Sequence, residues 1–253
     1  AASDVYKRQE MPTIRLEDVS KIYKGQKGGG GLRPGRRGFE TLSRVNLEIA
    51  QGEFVFFVGS RGAGSSTLLN LISGLLQPDE GAVYLDQVNL SKLKRRQEKK
   101  LPYIFGRVPQ EPSLVRSATV FENLCPPGRF GRVGGTLTDG PLIAKALALV
   151  GLPDSEEKYP GEFSASERRR IELAKAILYS PPILILDRIT DDMDDDSIWD
   201  MMHLLDEMNH RGTTVLMATG ARQFVNLMRR RVITLVDGRI VGDVQKGRFG
   251  DIV

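Results

Sequence analysis

A glycine-rich stretch in the first third of the chain has residue types and spacing suited to holding phosphate. It reads Gly59-Ser60-Arg61-Gly62-Ala63-Gly64-Ser65-Ser66-Thr67. A phosphate-binding loop has a glycine, four residues, a second glycine, a lysine and then a serine or threonine, and only the lysine is missing here. The glycines let the backbone curl so that its N–H groups point at phosphate oxygens. A helix that begins near Ser66 adds its positive end, so the stretch predicts a phosphate site.

The position after the last glycine departs from this pattern. Ser65 stands where a lysine would reach the outer phosphates, and its presence removes a charge-assisted hydrogen bond of about 1.5–3 kcal/mol. Ser66 stands where the magnesium-binding hydroxyl belongs. A simple glycine-rich turn is the weaker interpretation, because a buried strand precedes the stretch and a helical pattern follows it.

The elements that position this loop alternate between strands and helices. Alternating polarity predicts half-buried strands over 13–19 and 42–49, and continuous apolar runs predict buried strands over 53–58 and 183–186. The remaining predicted elements are helices over 66–76, 142–150, 167–179 and 197–211, a strand over 213–219, and a hairpin of 232–236 with 240–244 that turns at Asp237-Gly238. This alternation predicts an α/β fold with a mostly parallel sheet.

Composition divides the chain into one domain with three distinctive segments. Residues 1–10 show no periodic pattern and are expected to be an extraneous leader, which leaves 11–253 as a single domain. Residues 25–38 are rich in glycine, arginine and lysine and are expected to be a flexible loop insertion. Residues from about 111 to 165 are predicted to form a separate helical lobe.

Two later stretches extend the comparison to a known family. Ile183-Leu184-Ile185-Leu186-Asp187 is an apolar strand that ends in a carboxylate, and Phe163-Ser164-Ala165-Ser166-Glu167 stands directly before an amphipathic helix. With the phosphate loop, they resemble the motifs of ABC-type ATP-binding subunits, across about residues 14 to 250. The resemblance implies a P-loop NTPase (RecA-like) core, an antiparallel β subdomain and an inserted helical lobe. It also implies ATP and Mg²⁺ as cofactors.

The resemblance gives roles to residues at several motifs. Tyr23 matches the aromatic residue that stacks on adenine, although an aromatic after a strand more often serves packing. Gln110, in Val108-Pro109-Gln110-Glu111-Pro112, matches the glutamine that reaches the metal and the attacking water. In the family the segment at Ser164, Ala165, Ser166 and Glu167 caps the ATP of the opposite subunit. Its usual two glycines are replaced here by Ala165 and Ser166, whose bulk is expected to hinder a close dimer.

The resemblance also identifies two catalytic positions with unexpected residues. Asp187 is expected to hold Mg²⁺ through water. Arg188 replaces the glutamate that polarises the attacking water, and a guanidinium cannot accept a proton. Gly220 replaces the histidine that senses the outer phosphate, and Asp194 matches the last aspartate of the D-loop. We expect Arg188, with Arg61 as a second candidate, to lie near the phosphates and to compensate for the missing lysine.

Within the family, the chain is most similar to the FtsE group of cell-division subunits. The similarity lies in Gly52-Glu53-Phe54-Val55-Phe56, in the strand over 213–219, in the hairpin and in the ending Lys246-Gly247-Arg248-Phe249-Gly250. Subunits of lipoprotein-release and macrolide-export systems are the nearest alternatives. The FtsE group implies an integral membrane partner of the FtsX type and a dimer of ATP-binding subunits.

The charge and the cysteine content limit the expected location of the chain and its expected partners. One cysteine and the absence of an apolar leader suggest a cytoplasmic chain, peripheral to the inner face of the membrane. The net charge of +4 is uneven: Lys21 to Gly38 holds six basic residues and no acidic one, and Lys92 to Lys100 holds six against Glu98. A solvated surface is the ordinary explanation, and attraction to anionic lipid is the more specific one. Nucleic acid is disfavoured because no aromatic residues interleave the basic runs.

Three functional hypotheses follow from these residues. The leading one is a subunit that binds ATP but hydrolyses it poorly. Ser65, Arg188 and Gly220 replace the residues that supply charge to the phosphates, activate water and sense the γ-phosphate, respectively. The second is an active ATPase in a heterodimer with an intact subunit, as in a lipoprotein-release or export-type ABC transporter. The third is a scaffold that binds no nucleotide and docks on a membrane protein.

Overall fold

Ten strands and eight α-helices lie in the residues that the computed structural model describes, which are 12–23, 39–125, 139–191 and 193–252. The strands are β1 (Ile14–Tyr23), β2 (Phe39–Ile49), β3 (Phe54–Gly59), β4 (Glu80–Leu85), β5 (Val88–Asn89), β6 (Phe105–Val108), β7 (Ile183–Asp187), β8 (Thr214–Ala218), β9 (Arg231–Val236) and β10 (Arg239–Val244). The helices are α1 (Ser65–Ile72), α2 (Arg95–Glu98), α3 (Leu101–Ile104), α4 (Val120–Leu124), α5 (Asp139–Leu149), α6 (Ala165–Ile177), α7 (Asp195–His210) and α8 (Arg222–Met228). The predicted leader, 1–10, and insertion, 25–38, lie outside the described residues.

The larger sheet carries the phosphate loop at its centre. Its strand order is β10-β9-β3-β8-β7-β6, with every pair parallel except β10 with β9. Every residue of β7 and β8 is buried, as the continuous apolar runs predict for strands covered on both faces. The predicted α/β fold with a mostly parallel sheet is therefore confirmed.

Alternate residues of β3 enter two different hydrophobic clusters. Phe54, Phe56 and Val58 belong to the cluster that includes helices α5, α6 and α7. Val55 and Phe57 belong to the cluster under α1 and the smaller sheet. Because successive side chains of a strand point to opposite faces, β3 anchors both layers of the core.

The smaller sheet is antiparallel, with the order β2-β1-β4-β5. Its alternating burial agrees with the predicted half-buried strands. Helices α4, α5 and α6 pack together on the opposite side of the large sheet. The predicted bounds of the helical lobe, about 111–165, stay a prediction.

One predicted helix ends earlier in the structure, and some elements of the structure were not predicted. Helix α1 ends at Ile72 and not at Leu76, because Gly74 has a φ of +72° that continues no α-helix. Strands β4 and β6 and helix α8 were not predicted. No helix in the described ranges has the length and apolar character needed to cross a membrane.

Candidate nucleotide site

The loop between β3 and α1 has a backbone that only glycine permits at two points. A β-carbon on Gly59 would lie 2.5 Å from the carbonyl oxygen of Leu235. Gly64, the residue before α1, has a φ of +103°, and a β-carbon there would lie 2.8 Å from the carbonyl oxygen of Thr41. The loop also closes on itself, since the N–H of Ala63 donates to the carbonyl of Ser60 at 3.1 Å. This geometry is the strand, tight loop and helix that a phosphate site requires.

The first turn of α1 presents the polar groups of the loop. It begins at Ser65, and its first N–H groups have no carbonyl partner within the helix. Gly62 has a φ of +87°, and a β-carbon there would meet no atom within 4 Å. Thr67 is buried, and Arg61 is exposed.

Ser66 and Asp187 are brought together from α1 and the end of β7. The Ser66 hydroxyl donates to the Asp187 carboxylate at 3.0 Å. Burial raises the pKa of Asp187, against the opposing effects of the Ser66 hydrogen bond and of nearby Arg188 and Arg107. A hydroxyl and a carboxylate are the hard oxygen ligands that Mg²⁺ prefers, directly or through water. The pair therefore fits the metal that the sequence implies.

Arg188 follows β7 in a left-handed conformation, with a φ of +51°. Its N–H donates to the carbonyl of Ala218 at 2.9 Å, and its Nε donates to the Asp191 carboxylate at 3.0 Å. Its Nη2 lies 3.6 Å from where a β-carbon of Gly220 would stand. The guanidinium therefore lies within van der Waals distance of a β-carbon at position 220.

One cavity of about 700 Å³ joins three of the predicted site residues. Arg61, Arg188 and Gly220 line it, with Arg222 from α8 as a further cation. Arg61 and Arg188 therefore line the same cavity, and the expectation that they lie near bound phosphates stays a prediction.

Tyr23 and Gln110 do not line this cavity. Tyr23 ends β1 with its side chain exposed, and Gln110 is also exposed. Their assignments to adenine and to the attacking water stay predictions.

A buried ion pair that the sequence reasoning missed holds the segment around Gln110. Arg169 and Glu172 of α6 form it at 2.8 Å, and their side chains are 5% and 2% exposed. Arg169 also donates to the carbonyl oxygens of Pro109 and Gln110, and the N–H of Ser113 donates to Glu172. The charged run at the start of α6 is typical of a solvated helix face, so its pattern gave no signal of this contact.

Arg107 and Asn70 were also missed. Arg107 of β6 donates from Nη2 to Asn70 Oδ1 of α1 at 2.6 Å. Burial lowers the pKa of Arg107, and the charge of Asp187 opposes that shift. A further cation therefore lies in the electrostatic environment of Asp187.

The segment at the start of α6 forms a reciprocal cap. The N–H of Glu167 donates to Ser164 Oγ at 3.2 Å, and the N–H of Ser164 donates to the Glu167 carboxylate at 2.8 Å. These bonds with Ser164 lower the pKa of Glu167. Ala165 is exposed, whereas the Ser166 hydroxyl is buried and has no partner among the described residues. The expectation that Ala165 and Ser166 hinder a close dimer stays a prediction.

The loops after β7 and β8 are tied together. The hydroxyls of Thr190 and Thr219 lie 2.9 Å apart and are buried.

Asp194 caps α7, where its carboxylate accepts from the N–H of Ser197 at 2.8 Å, and this hydrogen bond lowers the pKa of Asp194. The structure therefore shows Asp194 as a helix cap.

Comparison with known proteins identifies the protein family. The model of the family described as ABC transporter matches residues 42–191. The chain belongs to the ABC transporter family. It is similar to the cell division ATP-binding protein FtsE of Streptococcus pneumoniae strain D39, with 34% identity over 95% of this chain and 99% of that protein. FtsE of Mycobacterium tuberculosis is 35% identical over 94% of this chain and 98% of its own length.

Solved structures agree with this assignment. A bacterial ABC transporter cassette solved as a dimer has a TM-score of 0.80 and 29% identity, over 93% of this chain and 100% of that one. A dimeric cassette in a post-hydrolysis state, bound to ADP and Pi, has a TM-score of 0.79 and 28% identity, over the same shares of the two chains. The fold, with its mixed sheet and its separate antiparallel sheet, is that of an ABC cassette.

Proposed function

We propose that this chain is an FtsE-like ATP-binding subunit that works with a membrane partner in cell division and hydrolyses ATP poorly. The observation that carries the proposal is the placement of Arg188, which lines the cavity with Arg61 and Gly220 while the Ser66–Asp187 pair is intact. The similarity to FtsE over nearly the whole of both chains supports the cellular role.

Most of the site residues would bind ATP and Mg²⁺, and their roles differ from activation of the attacking water. The N–H groups from Gly62 to Ser66 and the start of α1 would bind the phosphates. Ser66 and Asp187 would hold Mg²⁺, which neutralises charge on the outer phosphates when bound. Arg188 and Arg61 would add positive charge from the cavity. A cation that stabilises bound ATP equally in its ground and transition states tightens binding without raising turnover.

Position 188 provides no proton acceptor for the attacking water. A guanidinium carries only donors, and Arg188 already pairs with Asp191. Loss of a positioned base lowers a rate by about 10²–10⁴-fold. The site would therefore hold ATP without rapid hydrolysis.

Steady-state turnover tests this proposal. We expect the purified chain to hydrolyse Mg-ATP at least about 100-fold more slowly than FtsE of M. tuberculosis under the same conditions. Binding of Mg-ATP by the same preparation provides the control for a competent fold. Turnover equal to that of the relative, without any added partner, would overturn the proposal.

The membrane partner is expected to be an integral protein of the FtsX type. The groove between the phosphate-loop side and the helical region after Gln110 would receive a short segment of it. Glu111 is exposed, so a cysteine there, in a Cys125→Ser background, should crosslink to the partner in cells. A cysteine at Glu207, whose side chain is 68% exposed on α7, is the matched control. Equal labelling at both positions, or none at Glu111, would contradict the docking site.

The capped start of α6 favours one alternative, which is an active heterodimer. The cap of Ser164 is intact, and an accepting Ser164 oxygen leaves its hydroxyl hydrogen available to a phosphate of another subunit. In that case one composite site would use the intact motifs of a second ABC subunit. Turnover that appears only on mixing with that subunit, and that is lost in Ser164→Ala, would favour the heterodimer. A chain that binds no ATP at millimolar concentration would instead be a scaffold.

A further inference from the structure

Residues 92–100 form a strongly cationic surface segment. Six of the nine residues are basic and one is acidic, a surplus of five in a chain whose total net charge is +4. All six basic side chains are exposed; they are Lys92, Lys94, Arg95, Arg96, Lys99 and Lys100. None of them forms an ion pair with any residue that the structure describes.

Other arginines of this chain form ion pairs with acidic side chains. Arg231 pairs with both Glu53 and Asp243 at 2.7 Å, and Arg170 pairs with Asp200 at 2.9 Å. A surface that merely serves solubility usually mixes both signs. The unpaired concentration of one sign therefore indicates an anionic partner.

Exposed apolar side chains adjoin the segment. Tyr103, on α3 immediately after it, is 55% exposed, and its ring centroid lies 5.3 Å from that of Tyr179. Leu75 is 63% exposed, and a β-carbon on its neighbour Gly74 would lie 3.0 Å from Leu101 Cδ1. Tyrosines beside lysines and arginines are the residue types that occupy the headgroup region of a bilayer.

We propose that residues 92–100, with Tyr103 and Leu75 beside them, bind the surface of a membrane that contains anionic lipids. The occupant is the lipid headgroup layer, because a plane of phosphates matches several exposed cations at once and accepts the adjoining apolar side chains at its edge. This contact is independent of the nucleotide site and of any membrane protein partner.

Vesicle binding by the purified full chain provides the test. Vesicles of phosphatidylcholine with about one third phosphatidylglycerol, at about 0.1 M salt, are expected to bind the chain, and vesicles of phosphatidylcholine alone are not. The test variant replaces Arg95, Arg96, Lys99 and Lys100 by glutamine. Each basic residue near such a surface contributes about fivefold to partitioning, so at least about a tenfold loss is expected.

A matched control removes the same number of charges elsewhere. It replaces the exposed Lys145, Arg211, Arg239 and Lys246 by glutamine, which lowers the net charge equally. The control is expected to bind anionic vesicles nearly as well as the wild type. Tyr103→Ala, which leaves every charge in place, is expected to weaken binding by severalfold.

Three results would overturn the proposal. The first is equal loss of vesicle binding in the two quadruple variants, which would indicate net charge and not this segment. The second is no binding of the wild type to anionic vesicles. The third is tighter binding to a duplex DNA oligonucleotide than to vesicles at the same salt, with loss only in the Arg95, Arg96, Lys99 and Lys100 variant, which would assign the segment to nucleic acid.

Discussion

The guanidinium of Arg188 occupies the space beside Gly220, with Nη2 3.6 Å from the point where a β-carbon at position 220 would stand. A β-carbon at that point would be in ordinary van der Waals contact with the guanidinium. The two residues that depart from the ABC pattern at these positions are therefore packed against each other. They form one arrangement at the edge of the cavity that Arg61 also lines.

This packing predicts energetic coupling between positions 188 and 220. Gly220→His is expected to destabilise the wild type and to cost less in an Arg188→Ala background, because the imidazole then has room. Residues in contact show coupling energies of about 0.5–3 kcal/mol. Urea denaturation of the two single variants, the double variant and the wild type measures this coupling.

Gly161→His is the control for that cycle, since a β-carbon on Gly161 would meet nothing within 4 Å. It should show no coupling to Arg188→Ala. Additive effects of Gly220→His and Arg188→Ala would mean that the two residues do not share the space.

The raised pKa of Asp187 predicts an unusual effect of removing a site residue. Burial favours neutral Asp187 in the folded chain. The stability from the neutral acid is present below its ordinary pKa and is lost as the pH rises through the raised pKa. Asp187→Asn is therefore expected to unfold at a temperature equal to or above that of the wild type at about pH 7 without Mg²⁺, and the difference should shrink at acid pH.

The same variant should lose the stabilisation that Mg-ATP gives to the wild type, because an amide is a poorer ligand for Mg²⁺ than a carboxylate. Thermal unfolding with and without Mg-ATP provides both readouts. A metal-free Asp187→Asn protein that unfolds well below the wild type at neutral pH would contradict the role of burial.

The buried pair on α6 predicts unequal losses of stability when two adjacent arginines are replaced. Arg169→Met breaks the Arg169–Glu172 pair and leaves a buried carboxylate, which costs about 3–5 kcal/mol. Arg170→Met removes an ion pair with Asp200, whose side chain is 69% exposed, and such a pair contributes about 0–1 kcal/mol. Equal losses of unfolding free energy in the two variants would show that burial of the first pair contributes nothing.

Some elements of this fold are predictable from local patterns in the sequence. Strands β3 and β7 are predictable from their continuous apolar runs, and the hairpin turn is predictable from Asp237-Gly238. Strand β6 is not, because Gly106 resembles a loop residue. The structure gives the reason for the glycine: a β-carbon there would lie 2.4 Å from the carbonyl oxygen of Ala176 on α6.

Other features depend on contacts that no local pattern contains. Helix α8 has Ala221 at its N-cap position with no capping hydrogen bond from its side chain, so the usual start signal is missing. Arg169 contacts Pro109 and Gln110, about 60 residues away in the chain. The phosphate loop is predictable because its glycines and hydroxyls are adjacent in sequence, whereas the proximity of Arg188 to Gly220 requires the folded chain.

The proposed function requires above all that the chain binds nucleotide and that Arg188 supports this binding. Isothermal titration of Mg-ATP into the wild type, Arg188→Gln and the surface control Arg211→Gln tests this directly. A charge-assisted hydrogen bond contributes about 1.5–3 kcal/mol, so Arg188→Gln should weaken binding by about tenfold or more, while Arg211→Gln binds as the wild type does. Unchanged affinity in Arg188→Gln would contradict the role of the arginine, and no binding by any of the three proteins at millimolar ATP would contradict the nucleotide site itself.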